Sequence, residues 1–350
     1  MTITTPTIAI PALVRIKSGV LTKLGSYCQR HGFTKVASIV SSDLPATLRE
    51  IASHALNGAD IATEWLECRE ASFELAQQLF VALGQETTAI VGIGGGRSLD
   101  VAKYLAFLAR IPFIAVPTSL SNDGFCSPGA SLTVAGARRS LPAALPYGVI
   151  IDTDACLAAP ELLWLSGVGD LVAKLTAVRD WKLAFHATGE PVNDFAALLS
   201  DATVHQFISR PRHDELGARL LGTSLMLNGI AMEICGSSRP ASGSEHLVSH
   251  ALDSLASRPR LHGIQVGMAT YLVSRLQGEM HSDTIDRLFR ECGFWDAIRR
   301  DPLPRNEWLE AFRLAPAIKT DFYTVLSSRD CLTDVSAILV SDPVLQGCFY

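Results

Sequence analysis

Between residues 34 and 152, short Val- and Ile-rich runs alternate with amphipathic helical stretches, and this alternation constrains the fold more than any other feature. Residues 34–41 (TKVASIVS), 61–67, 89–93 (AIVGI), 111–117 (IPFIAVP) and 148–152 (GVIID) read as strands. Residues 44–56, 71–83 and 98–109 carry helical periodicity. Nearly continuous apolar strands separated by helices of this length imply a parallel sheet, Rossmann-like, covered on both faces. Residues 131–141 (SLTVAGARRSL) depart from the pattern and read as a hairpin turning at Ala135-Gly136.

Beyond Pro160 the periodicity becomes purely helical, over 161–188, 191–209, 214–235, 243–256, 262–278, 283–292 and 306–315. Pro, Gly and Ser clusters at 236–244 and 257–260 interrupt it. The chain of 350 residues therefore reads as two domains, an α/β dinucleotide-binding domain over 1–158 and an all-α domain over 159–350. With 48% hydrophobic and 19% charged residues it can bury a sizeable core. Thirty-five acidic against 30 basic side chains give a net charge of −5, which offers no footprint for nucleic acid or an anionic membrane. No apolar run approaches the roughly 20 residues that span a bilayer. None of the eight cysteines forms a C-x-x-C pair, so free thiols in a reducing compartment are expected. The opening MTITTPTIAIPALVRI lacks the basic and long apolar regions of a secretory leader, and the expected location is the cytoplasm.

Residues 90–98 (IVGIGGGRS) join a strand to a helix. Gly94, Gly95 and Gly96 allow close backbone approach and positive φ, and a helix N-terminus beginning near Ser98, its expected N-cap, favours a diphosphate. Arg97 occupies the third glycine position of G-x-G-x-x-G, and no G-K-S/T follows, so the alternative is an ordinary tight turn. The loop at 117–124 (PTSLSNDG) places hydroxyls and Asp123 at the carboxyl end of the next strand, where parallel sheets bind ligands. Asp43, just past the strand at 34–41, could accept from a ribose 2′-hydroxyl and favour NAD over NADP.

In the helical half, residues 243–253 (GSEHLVSHALD) hold His246 and His250 four positions apart on one helical face, and His262 opens the next helix. Imidazoles plus a carboxylate suit a catalytic divalent metal, the most attractive carboxylate being Asp170 in SGVGDLVAK, read as lying at a helix start and flanked by glycines that permit close approach. Spacing leaves open which of His246 and His250 is the ligand. The remaining histidines have no comparable setting.

Five segments in this order, GIGGGRSLDVAKYLAFLARIPFIAVPTSLSNDG, SGVGDLVAKLTAVRDWKLA, SGSEHLVSHALD, LHGIQVGMAT and KTDFYTVLS, resemble the sn-glycerol-1-phosphate dehydrogenase family. That family lies in the dehydroquinate synthase-like superfamily with iron-type alcohol dehydrogenases and glycerol dehydrogenase. The resemblance runs over residues 10–330. It implies NAD(H)- or NADP(H)-linked, reversible reduction of dihydroxyacetone phosphate, or a close phosphate or phosphonate analogue, to sn-glycerol 1-phosphate. Gly96, Arg97, Ser98, Leu99 and Asp100 would hold the pyrophosphate; Thr118, Ser119, Leu120, Ser121 and Ser127 would line the nicotinamide side. Asp170, His246 and His262 would bind one divalent metal, zinc with nickel or iron as alternatives; Asp123, His250 and Asp170 would meet the substrate. Family habit also implies a homo-oligomer. Two departures stand out: Arg97 replaces a common lysine, and Asn122 replaces the usual histidine beside the substrate aspartate. Asn122 keeps open a superfamily dehydrogenase acting on another polyol, ketone or phosphonate aldehyde. A non-catalytic nucleotide sensor is the alternative of another class. Arg97, Lys174, Arg239 and Lys319 are the basic side chains considered for a substrate phosphate.

Overall fold

A computed structural model of the chain describes residues 9–350, so the first eight residues of the opening segment read for a leader lie outside the described ones. The chain divides into two compact units, residues 1–159 and 160–350.

The first unit is built on eight strands: β1 (Leu13–Lys17), β2 (Lys35–Ser41), β3 (Ala62–Cys68), β4 (Ala89–Gly94), β5 (Phe113–Pro117), β6 (Gly129–Val134), β7 (Ala137–Pro142) and β8 (Gly148–Asp152). Six form one parallel sheet in the order β1-β8-β5-β4-β2-β3. The helices α1 (Leu24–Arg30), α2 (Ala46–Asn57), α3 (Phe73–Ala82), α4 (Gly96–Ala109) and α5 (Thr153–Ala158) connect or flank them. Every residue of β4, β5 and β8 is buried, as strands covered on both faces must be. Val36, Val40, Val91, Ile93 and Ile114 of the sheet pack with Leu56 of α2 in the core. The remaining pair, β6 and β7, forms the antiparallel hairpin, turning through Ala135 and Gly136, both at positive φ.

One strand was not visible in the sequence. β1 (LVRIK) is a five-residue edge strand pairing only with β8, and its Arg15 and Lys17 mask the apolar pattern.

The second unit is helical: α6 (Glu161–Val172), α7 (Lys174–Thr188), α8 (Asp194–Ile208), α9 (Glu215–Cys235), α10 (Ser244–Leu255), α11 (His262–Leu276), α12 (Ser282–Glu291), α13 (Phe294–Arg300), α14 (Arg305–Ile318), α15 (Val325–Ser328) and α16 (Leu332–Ser341). The segment expected as one helix over 161–188 breaks at Ala173 into α6 and α7, and the short α13, α15 and α16 went unread. This α/β-then-helical architecture is the fold class expected from the sequence. Among the described residues no helix is long and apolar enough to cross a membrane. All eight cysteines are free thiols.

Candidate functional site

The glycine turn lies at the carboxyl end of β4. Adjacent strands β2 and β4 send their chains in opposite directions across the sheet, which opens a crevice beyond their carboxyl ends. Gly94 has φ of +137°, and a Cβ there would fall 2.2 Å from Ser41 Oγ and 2.7 Å from Ser98 Oγ. Glycine is therefore required at that position. A Cβ on Gly95 or Gly96 would meet nothing within 4 Å, so these two border open space in front of the helix. Gly95 is the N-cap of α4 and supplies no side-chain cap. The expected cap at Ser98 is wrong: the helix begins two residues earlier, and Ser98 is buried in its first turn. Its hydroxyl accepts from Ser41 Oγ at 2.9 Å and reaches Gly95 O at 3.1 Å. The first-turn N–H groups and the positive end of the helix dipole are thus what the turn offers an anion.

Leu99 and Leu120 are buried to 3% and 2%, so each presents backbone rather than side chain. Asp100 is also buried and lies 3.6 Å from Lys103 Nζ; burial raises its carboxyl above the ordinary value, with Lys103 opposing. Thr118 N–H donates to Gly94 O at 3.0 Å, which ties the loop carrying Thr118, Ser119, Leu120 and Ser121 to the glycine turn. Asn122 Oδ1 accepts from Gly124 N–H at 2.9 Å and caps a 3₁₀ turn over Asp123–Cys126. Ser127 Oγ lies 3.2 Å from Lys103 Nζ. Asp43 and Arg97, both exposed, form an ion pair at 2.8 Å, and Arg97 also donates to Arg69 O.

The second cluster lies in the helical unit. Asp170, His246 and His262 each offer one ligand atom, all within 4.8 Å of one another. Asp170 sits in the last turn of α6, not at the helix start expected for it. Gly169 and Gly263 serve a helix crossing: a Cβ on Gly169 would lie 2.0 Å from Gly263 O of α11, and one on Gly263 would lie 1.8 Å from Ser166 O of α6. That close approach sets Asp170 beside His262, the first residue of α11.

The imidazoles of His246 and His262 are each oriented through the other ring nitrogen. His246 Nδ1 lies 2.9 Å from Glu245 Oε1, and because a carboxylate only accepts, that nitrogen carries the proton. Its Nε2 then faces Asp170 Oδ1 at 3.4 Å. His262 Nδ1 lies 3.3 Å from Ser249 Oγ, and its Nε2 is 3.8 Å from Asp170 Oδ1. Burial raises the Asp170 carboxyl, but the Lys174 ammonium and the two histidines outweigh it and hold the group well below the ordinary range. For His246 burial works against the proton, while hydrogen bonds to Asp170 and Glu245 prevail and raise its pKa. His250 stands outside the triad, with its ring 6.1 Å from that of His262, Nδ1 4.0 Å from Asp253 Oδ2, and 42% of its side chain exposed.

Glu245 was not singled out in the sequence, although its position directly before His246 was the available signal. It is fully buried and also accepts from Thr176 Oγ1 at 2.8 Å and from Gly243 N–H at 2.5 Å. Nearby Asp180 of α7 accepts from Ser244 N–H at 2.7 Å and Val325 N–H at 2.9 Å, anchoring the start of α10. Burial, then the charge of Glu245, pushes Asp180 up to about 6. Two carboxylates therefore fix the turn that carries His246. Carboxylate partners of histidine ligands are worth roughly 10–100-fold in metal affinity. Glu245→Gln is expected to weaken divalent-metal binding by about that factor, measured by competition with a chromogenic chelator. Unchanged affinity would remove Glu245 from this role.

The basic side chains fare differently from expectation. Lys174 is fully buried with Nζ 2.8 Å from Asp170 O, and Arg239 is 1% exposed and held bidentately by Glu190. Neither presents its charge to a solute. Lys319 is exposed, with Nζ 4.6 Å from the Phe322 ring.

A family model for iron-containing alcohol dehydrogenases matches residues 15–160. A glycerol-1-phosphate dehydrogenase, NAD(P)+, from Methanosarcina mazei is 37% identical over 329 residues, covering 91% of each chain. The protein of the same name from Staphylothermus marinus is 36% identical over 345 residues, 96% of this chain and 97% of that one. Among solved structures, a probable glycerol dehydrogenase from Sinorhizobium meliloti aligns with a TM-score of 0.75 at 17% identity, covering 96% of this chain and 99% of the other. Glycerol dehydrogenase from Schizosaccharomyces pombe aligns at 0.72 and 17%, covering 95% and 91%. At such identities these two establish the fold alone.

Proposed function

The chain belongs to the glycerol-1-phosphate dehydrogenase family of iron-containing alcohol dehydrogenases, and from that premise we propose that it reversibly reduces dihydroxyacetone phosphate to sn-glycerol 1-phosphate with NADH or NADPH. The observation that carries the reading is the buried Asp170 carboxylate with two imidazole Nε2 atoms aimed at it from 3.4 and 3.8 Å. One carboxylate and two neutral imidazoles form a donor set for a divalent ion that leaves coordination positions for a substrate. Zinc is the ion we assign, with nickel and iron as alternatives. Bound there, the ion would supply Lewis acidity toward the ketone oxygen, and the dinucleotide would supply the hydride.

The chain's own residues supply position, charge and a proton. Gly94, Gly95 and Gly96, with the first-turn backbone of Arg97, Ser98, Leu99 and Asp100, are assigned to the pyrophosphate, which would sit at the positive N-terminal end of α4. Thr118, Ser119, Leu120, Ser121 and Ser127 are assigned to the nicotinamide side. The Asp43–Arg97 pair offers an acceptor for a ribose 2′-hydroxyl and a cation for a 2′-phosphate, which suits use of either nucleotide. Asp123 accepts from the substrate hydroxyls. His250, partly exposed, holds the proton that passes to the substrate oxygen during reduction. The cytoplasm and a homo-oligomeric assembly remain part of this proposal.

The test is NADH oxidation by the metal-loaded protein against dihydroxyacetone phosphate, dihydroxyacetone and a phosphonate aldehyde. Dihydroxyacetone phosphate is expected to lead in kcat/KM by at least about tenfold, the worth of one good polar contact. Preference for an unphosphorylated ketone would move the substrate assignment to another member of the superfamily. No oxidation of any of the three, by a protein that retains no metal after loading, would favour a nucleotide sensor.

A further inference from the structure

Lys103, in the second turn of α4, is 1% exposed, yet its ammonium is met on several sides. Nζ donates to Gly124 O at 2.5 Å and Gly129 O at 2.7 Å, lies 3.2 Å from Ser127 Oγ, and lies 3.6 Å from Asp100 Oδ1. A buried ammonium is costly unless its protons are satisfied and its charge is opposed, and here both conditions hold. Two of the acceptors are main-chain carbonyls at the two ends of the segment 124–129, which runs from within the 3₁₀ turn over Asp123–Cys126 to the first residue of β6. Burial lowers the proton affinity of Lys103, and Asp100 opposes that. The Ser131 backbone and the charge of Arg138, both on the hairpin, favour the ionised form of Asp100. The Asp100–Lys103 pair therefore ties α4 to the loop and to the strand after it.

We propose that Lys103 is a positioning residue: it holds the Asn122–Gly129 segment so that Asp123 stands where it takes the substrate. One helix then serves two tasks, its N-terminus bordering the glycine turn and its Lys103 fixing the loop. The proposal rests on the assignment of Asp123 to the substrate made above.

The test compares Lys103→Met with the parent as metal-loaded enzyme. Hydrogen exchange of peptides covering 122–131 is expected to accelerate, while β4 and β5 exchange as before. In parallel kcat/KM for dihydroxyacetone phosphate falls about 10–100-fold, the cost of a small misplacement, through KM. The dissociation constant for NADH, read by fluorescence titration, stays within about twofold. Lys103→Arg, which can still donate to both carbonyls, restores part of the loss. Should Lys103→Met fail to fold, Lys103→Gln is read the same way. Unchanged exchange in 122–131 overturns the proposal. So does a uniform rise in exchange with NADH affinity falling in step, which marks a merely structural lysine. Faster loop exchange with unaltered KM also overturns it, and Asp123→Ala then locates the fault: if that variant too keeps its KM, the substrate assignment of Asp123 has failed.

Discussion

Replacing His246 with Ala is expected to remove bound metal and turnover together while the protein stays folded. The first half follows from the ligand count. Asp170 and His262 would remain as two donors, and the Lewis acidity that a bound ion supplies is worth several kcal/mol in this chemistry. A loss of about 4 kcal/mol corresponds to roughly a thousandfold in kcat, so residual activity should lie at least that far down. The second half follows from what His246 does not support. Glu245 keeps its bonds from Thr176 and Gly243, Asp180 keeps those from Ser244 and Val325, and Lys174 still balances the Asp170 carboxylate. Alanine is also at home in a helix such as α10. Elemental analysis, thermal denaturation and steady-state kinetics on one preparation read all three quantities. His250→Ala should keep its metal, because it lies outside the triad. A His246→Ala protein with one equivalent of metal and parental kcat would overturn the assignment of the centre.

How legible this was in the sequence depended on which physical signal each residue carried. β4, β5 and β8 are buried on both faces and announce themselves as unbroken apolar runs. β1 is an edge strand whose outward Arg and Lys erase that signal. His246 and His250 share a helical face, and periodicity alone has no means of ranking them. The distinguishing fact is three-dimensional: His246 Nδ1 is held by Glu245, whereas His250 leans toward Asp253 and solvent. The glycines around Asp170 signal close approach, but not to what. In the fold Gly169 lets two helices touch, and a linear pattern does not name the partner helix. Lys103 and Lys174 illustrate the same limit, since a lysine at helical spacing is ordinarily a solvated side chain, and only the packed structure shows both fully buried.

The helix crossing carries the other large expected effect. Gly169→Ala should destabilise the helical unit and weaken its hold on a divalent metal at once, because one contact underlies both. The new methyl carbon would lie 2.0 Å from Gly263 O, and that carbonyl belongs to the backbone of α11, so no rotamer change relieves the clash. Gly267 closes the alternative direction, its Cα being 3.1 Å from the same Cβ position. The helices must therefore separate, and overpacking of this kind costs about 3 kcal/mol. For a unit of this size that corresponds to a fall in Tm of roughly 6–12 °C. Separation also carries His262, at the start of α11, away from Asp170, near the end of α6, widening a 3.8 Å spacing that the donor set needs to be short. Metal affinity should then fall further than for Glu245→Gln, which disturbs orientation but leaves the backbone alone. Calorimetry and chelator competition on the two variants test this ordering. If Gly169→Ala loses stability but keeps full metal affinity, the crossing does not set the spacing of Asp170 and His262, and the triad owes its geometry to α10 instead.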